Sequence, residues 1–205
     1  MLIDLTHEIV DNMPAYPGDE RTELKHVKKI NEDGYNNHRM EISMHSGTHI
    51  DGPMHMTESK KYISEYPLDK FIGRGCIIDV SKEKEVCIKK EYEGIIKSDS
   101  ILLLYTGFDN SYGTEKYFKK YPVIKKEFVD FLVKKNIKIL GLDNASPDNH
   151  PYNVHQTLFE NDILIMENLK NLKNLLSVEK FEIIALPLKI KADSSIMRVV
   201  ARVLE

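Results

Sequence analysis

Residues 45–55 read His-Ser-Gly-Thr-His-Ile-Asp-Gly-Pro-Met-His, and no other segment limits the local fold as much. On a helix, His45 and His49 would share a face. Gly47 lies between them, and Gly52 and Pro53 follow. In a helix interior glycine costs about 1 kcal/mol against alanine and proline about 3, so an extended or looped course is the better reading. In extended chain the period is two, which sends His49, Asp51, Pro53 and His55 to one side. Just upstream, Arg39 to Met44 alternates polar and apolar residues, predicting a half-buried strand that delivers the chain into this segment.

Short apolar runs bounded by Gly, Asp or Pro predict further strands at Cys76–Val80, Ile101–Tyr105, Ile137–Leu142, Ile163–Met166, Ile183–Leu186 and Ile196–Val203. A helix is predicted over Val123–Lys135. Its apolar stripe is Ile124, Phe128, Phe131 and Leu132, Pro122 fits its first turn and Asn136 its C-terminal stop. A shorter helix is predicted over Val154–Phe159 with Asn153 as N-cap. Nothing between residues 1 and 205 reads as a linker, a repeat or a low-complexity tract, so one domain is expected. Strands outnumber helices, giving an α/β or α+β class built on a sizeable mixed sheet.

Three of the chain's eight histidines fall in the eleven-residue segment, with Asp51 among them. A lone loop histidine ordinarily does no more than hydrogen-bond. Three with a carboxylate form a donor set that zinc, manganese and iron accept. Asp51 lies beside His49 and is placed either to ligate the same ion or to bridge two. A purely structural zinc would favour four closed protein ligands, often cysteines, whereas His and carboxylate are the catalytic style. In the second half the candidates are His150, His155, Asp143, Asp148, Glu160, Asp162 and Glu167, each unremarkable when taken alone.

Composition removes other classes. The net charge is −3, with no basic aromatic module, so nucleic acid is not an expected partner. Cys76 and Cys87 are the only cysteines, and Cys76 sits in an apolar run as a small buried residue. A disulfide scaffold is therefore not expected, and a reducing, cytoplasmic setting is. No apolar run approaches 18 residues, and Asp4 interrupts the N-terminal apolar stretch, so neither a membrane span nor a signal peptide is expected.

The pattern His-x-Gly-Thr-His-x-Asp-x-Pro-x-His resembles the signature of the cyclase-family metal-dependent hydrolases, which include bacterial kynurenine formamidases (arylformamidases) and isatin hydrolases. The resemblance extends along the chain. Asp4-Leu5-Thr6-His7 resembles the family's opening strand, and Tyr16-Pro17-Gly18-Asp19 its early turn. Leu104–Phe108 resembles a strand-end motif, with Phe108 where Trp is common. Gly141–Asp148 resembles an Asp-x-x-Ser-x-Asp element, and His155 with Glu167 a late ligand pair.

This resemblance implies a swivelling β/β/α-type single domain and two divalent metal ions per chain, zinc first and manganese as the alternative. It implies that His45 and His49 hold one ion, that Asp51 bridges both, and that His155 and Glu167 hold the second. His55 is implied as a proton-transfer residue. Tyr16 and Phe108, with Tyr35, are the aromatic residues available to grip a substrate, since the chain has no Trp. Asp143 or Asp148 is expected behind a ligating imidazole. The implied reaction is hydrolysis of a small amide, with an aryl formamide such as N-formylkynurenine leading and a cyclic imide or lactam as the alternative. A homodimer or homotetramer is implied. Against this stand a metal-binding protein without turnover and a structural protein whose histidines only fix a loop.

Overall fold

The computed structural model describes residues 1–205. Thirteen strands occur: β1 (Leu2–Asp4), β2 (Glu23–Lys28), β3 (Asn37–Glu41), β4 (His49–Asp51), β5 (Ile72–Asp79), β6 (Glu85–Val86), β7 (Ile101–Tyr105), β8 (Val123–Ile124), β9 (Ile139–Leu142), β10 (Leu164–Glu167), β11 (Phe181–Ile184), β12 (Ser194–Ile196) and β13 (Val200–Val203). The helices are α1 (Ile30–Asp33), α2 (Tyr92–Ile95), α3 (Glu115–Lys119), α4 (Lys126–Lys135) and α5 (Asn153–Glu160). No helix is long and apolar enough to cross a membrane.

Nine strands form one mixed sheet in the order β1-β13-β11-β5-β7-β9-β10-β4-β12. The central pairs β5–β7, β7–β9 and β9–β10 are parallel, and the flanking pairs are antiparallel. Parallel strands are covered on both faces, so they read as unbroken apolar runs. On β7, Leu102 and Leu104 join a core with Phe128 and Leu132 of α4 and Leu158 of α5. Ile101 and Leu103 face the opposite core with Ile50, Leu169 and Ile183. At Gly75 the ring of Phe181 occupies the space where a side chain would stand.

The sheet is curled, and chain length shows why. Between β13 and β12 lie seven strand spacings, about 34 Å in a flat sheet. Only Met197, Arg198 and Val199 join Ile196 to Val200, a span of at most about 14 Å. The two ends of the sheet must therefore come round toward each other.

Several expectations are corrected. The alternating run near Arg39 is strand β3, Asn37–Glu41, and it is exposed throughout rather than half-buried. It pairs only with β2 as a two-stranded hairpin with no core behind it. The Ile196–Val203 run is two strands, β12 and β13, because the chain crosses the closing seam between them. The strand expected at Ile183–Leu186 is β11, Phe181–Ile184, two residues earlier. The first helix begins at Lys126: Val123–Ile124 pairs with Glu85–Val86 as β8, so strand pairing overrides the helical stripe and Pro122 precedes the strand. Asn136 does end α4 in the left-handed conformation. For α5, Asn153 is the first helical residue and not the cap. The Val154 N–H donates instead to Asp148 Oδ2 at 2.7 Å.

Candidate metal centre

Three adjacent strands bring the first elements of the site together. On β4, His49 stands opposite Glu167 of β10, and Asp51 stands opposite Ser194 of β12. His45 comes from the loop before β4. The extended course expected through His55 stops at Asp51, and Pro53–His55 forms a 3-10 turn. His155 projects from α5. Gly47 adopts φ +64°, a left-handed conformation that suits glycine, and its carbonyl lies 2.9 Å from His49 Nδ1. Thr48 ties the segment to two neighbours: its Oγ1 donates to Asn168 O at 2.6 Å and accepts from the His7 N–H at 2.9 Å.

His45 Nδ1 lies 2.8 Å and His49 Nε2 3.2 Å from Asp51 Oδ1. Glu167 Oε2 is 3.6 Å from His49 Nε2, and Glu167 Oε1 is 3.4 Å from His155 Nε2. Yet His49 Nε2, Asp51 Oδ1 and Glu167 Oε1 are buried with no aligned hydrogen-bond partner. Burying such groups unpaired is costly, so crowding of this kind calls for something they share. Three groups have the separations of a metal site: His45–His49–Asp51 and Asp51–His155–Glu167, which share the buried Asp51, and the half-buried set His45–His55–Asp193. The donors, imidazole and carboxylate, suit a divalent ion such as zinc or manganese.

The nitrogens turned away from the centre are also accounted for. His49 Nδ1 faces the Gly47 carbonyl, and His155 Nδ1 lies 2.6 Å from Asp148 Oδ1. Asp148 thus stands behind a candidate ligand, as one of the two expected aspartates. Asp143 does not: it accepts from Thr106 N, Thr106 Oγ1 and Gly107 N at 2.6–2.8 Å, fixing the β7–α3 connection instead.

The electrostatics follow from burial against charge. Burial opposes a proton on His45, but Asp51 and Asp193 outweigh it and hold the imidazole up at about 11. Burial likewise opposes His155, which Asp148 and Glu167 hold at about 10. Burial raises Asp51, yet His49 and His45 bring it well below the usual carboxylate range. Burial, with Asp51, raises Glu167. The carboxylates thus demand positive charge at this point, as protons on the imidazoles or as metal ions. His55 differs. Burial, helped by His45 and His155, lowers it against the pull of Asp51 and Asp193.

The centre opens into a cleft of about 380 Å³. Tyr16 lines it, as does Phe118, whose ring meets Tyr16 edge-on at 5.9 Å between centroids. Pro14, Met56, Tyr112 and Tyr152 add to the apolar lining. Phe108 does not line this cleft. It packs beside Tyr117, Tyr121 and Ala145, with Lys116 over its ring. Tyr35 is exposed near the β2–β3 hairpin. His150, Glu160 and Asp162 also lie outside the lining. Sequence reasoning missed Asp193 and Ser194, which approach His45 Nε2 at 2.8 and 3.0 Å, and it missed Phe118 and Tyr152. No local pattern marks them, because their places depend on strand pairing and helix packing.

The sequence matches the family described as "Putative cyclase" over residues 3–149, and the chain belongs to that family. It is 36% identical to an uncharacterised protein of Methanocaldococcus jannaschii over 98% of each chain. It is 31% identical to a kynurenine formamidase of Bacillus cereus, over 98% of this chain and 96% of that one. Its fold is similar to that of isatin hydrolase A from Labrenzia aggregata, with a TM-score of 0.87 at 25% identity, covering 100% of this chain and 94% of that one.

Proposed function

We propose that this chain is a metal-dependent hydrolase of a small amide, with an aryl formamide such as N-formylkynurenine as the leading substrate. The observation that carries this reading is the set of buried atoms without partners, His49 Nε2, Asp51 Oδ1 and Glu167 Oε1, converging between three imidazoles. His45, His49 and Asp51 would hold one divalent ion, and Asp51, His155 and Glu167 a second. Zinc is the first choice and manganese the alternative.

Two divalent ions in such a site supply a water of pKa near ~7 rather than ~16 and polarise a carbonyl oxygen. The chain's own residues supply the rest. His55 stands at the cleft, its ring centroid 4.0 Å from that of His45 and 6.3 Å from that of His155. Its lowered pKa keeps it neutral at pH 7, ready to take a proton at one nitrogen and pass it to the leaving amine. Tyr16, Phe118 and Tyr152 offer flat apolar walls to an aryl group. The likeness to a kynurenine formamidase supports the formamide, and the fold shared with an isatin hydrolase favours a cyclic lactam as the second reading.

A homodimer or homotetramer belongs to the same reading. What supports it is the β2–β3 hairpin, which leaves Val27, Tyr35 and Met40 exposed with no core behind them. A lone two-stranded hairpin is marginally stable in water.

The test is hydrolysis of N-formylkynurenine and of isatin by chelated protein and by the same protein reloaded with zinc or manganese. Turnover that chelation abolishes and metal restores, and that Asp51→Ala lacks, is the expected result. Failure to bind either metal would overturn the proposal.

A further inference from the structure

Each imidazole that turns a nitrogen toward the centre needs an acceptor behind it, or its ring is free to rotate. His49 has the Gly47 carbonyl and His155 has Asp148. For His45 the nearer partner is Asp193, whose Oδ2 lies 2.8 Å from His45 Nε2, with the uncharged Ser194 Oγ at 3.0 Å from the same nitrogen. The same oxygen lies 3.5 Å from His55 Nδ1. Asp193 comes from the chain just before β12, far in sequence from either histidine.

We propose that Asp193 is a positioning residue of this centre: it holds His45 with Nδ1 inward and fixes His55 beside it. The proposal rests on the metal-centre reading above. A carboxylate that accepts the outer N–H of a ligating imidazole fixes its tautomer and rotation and makes the inner nitrogen a better donor. Asp193 is suited to this because the backbone, not side-chain fit, sets its place. Its carbonyl accepts the Gly52 N–H at 2.9 Å, and the next residue, Ser194, is in register with Asp51. The site therefore has an aspartate behind each half, Asp148 for His155 and Asp193 for His45. The two are not equivalent. Asp148 Oδ2 is engaged by the Val154 N–H, whereas Asp193 Oδ2 faces both a ligand and the proton carrier. Asp193 thus acts on metal retention and on the proton step together.

The experiment is a zinc titration against a chromophoric chelator, on wild type, Asp193→Ala, Asp193→Asn and Asp148→Ala. Steady-state kinetics follow at saturating zinc. Loss of Asp193 is expected to weaken one zinc equivalent by about 10–100-fold and leave the other unchanged. Asp193→Asn, whose amide oxygen still accepts from Nε2–H, is expected to recover most of that loss. With zinc saturating, Asp193→Ala is expected to lower kcat with little change in KM. If Asp193→Ala does not fold, Asp193→Ser, polar but too short to reach Nε2, is expected to show the same one-site loss. Two zinc equivalents held by Asp193→Ala or Asp193→Ser as tightly as by wild type would overturn the proposal. Wild-type protein that binds no zinc would overturn the metal-centre reading instead.

Discussion

At the scale of single residues, His7 shows how burial alone sets a proton's place. Its ring stacks on Tyr112 at 3.8 Å between centroids, and its Nε2 is buried with no partner. Burial, with Lys170 adding to it, lowers the His7 pKa to about 4. The unfolded chain takes up this proton near pH ~6.5 and the folded chain does not. The ring's contribution is therefore fully present above pH ~6.5 and is lost as pH falls through about 4. Relative to His7→Phe, which keeps the stacking, wild type is expected to lose about 2 kcal/mol between pH 7 and pH 5. Urea midpoints of the two proteins at both pH values measure it. His55 makes a catalytic prediction at the same scale. Removing a proton-transfer group typically costs about 10²–10⁴-fold in rate. His55→Ala, loaded with zinc, is expected to bind metal normally and to lose kcat to that extent. Wild-type kcat in this variant would remove His55 from the mechanism.

Elements are legible in the sequence to different depths. β7 and the body of α4 can be read directly, because a parallel strand buried on both faces and an amphipathic helix both write their environment into local periodicity. The turn-rich His45–His55 segment is legible for a related reason: glycine and proline exclude the helix, and the donors lie close in sequence. Val123–Ile124 misleads because its pairing partner, Glu85–Val86, is distant in sequence and no local pattern signals it. Phe108 and Phe118 show the same limit. They stand in one aromatic-rich stretch, and only the packing of α3 decides which faces the cleft. Asp193 is invisible because its role exists only once β12 pairs with β4. Element packing also makes a prediction at Gly75. A methyl group there collides with the Phe181 ring, and Gly75→Ala is expected to destabilise by about 1–3 kcal/mol or more. A chemical denaturation midpoint at wild-type level would contradict this close packing of β5 against β11.

Over the whole molecule, the centre draws on residues from His45 to Asp193, so a bound ion links segments that folding must bring together from afar. An ion that binds only the folded chain stabilises it by about 2.7 kcal/mol at a hundred times its dissociation constant. For a chain of this size each kcal/mol is worth about 2–4 °C in Tm, giving a rise of about 5–10 °C. Zinc is expected to raise Tm by this amount in wild type and by much less in Asp51→Ala, as scanning calorimetry would show. Assembly makes the other prediction at this scale. If copies associate through the β2–β3 hairpin, Tyr35→Asp with Met40→Asp is expected to lower the mass measured by light scattering. An unchanged mass would place the contact elsewhere.

The seam at residues 197–199 has a consequence for how the molecule comes into being. Leu2 pairs with Arg202, and Asp193 is carried toward His45 only when β12 has paired with β4. Contacts so remote in sequence are slow to form. A chain emerging from the ribosome thus carries its first histidines long before it can hold them in register. Capture of the ion is then a late event of maturation, and a truncation that removes the last two strands would not trim an edge but take away Ser194 and the pairing that places Asp193 behind His45.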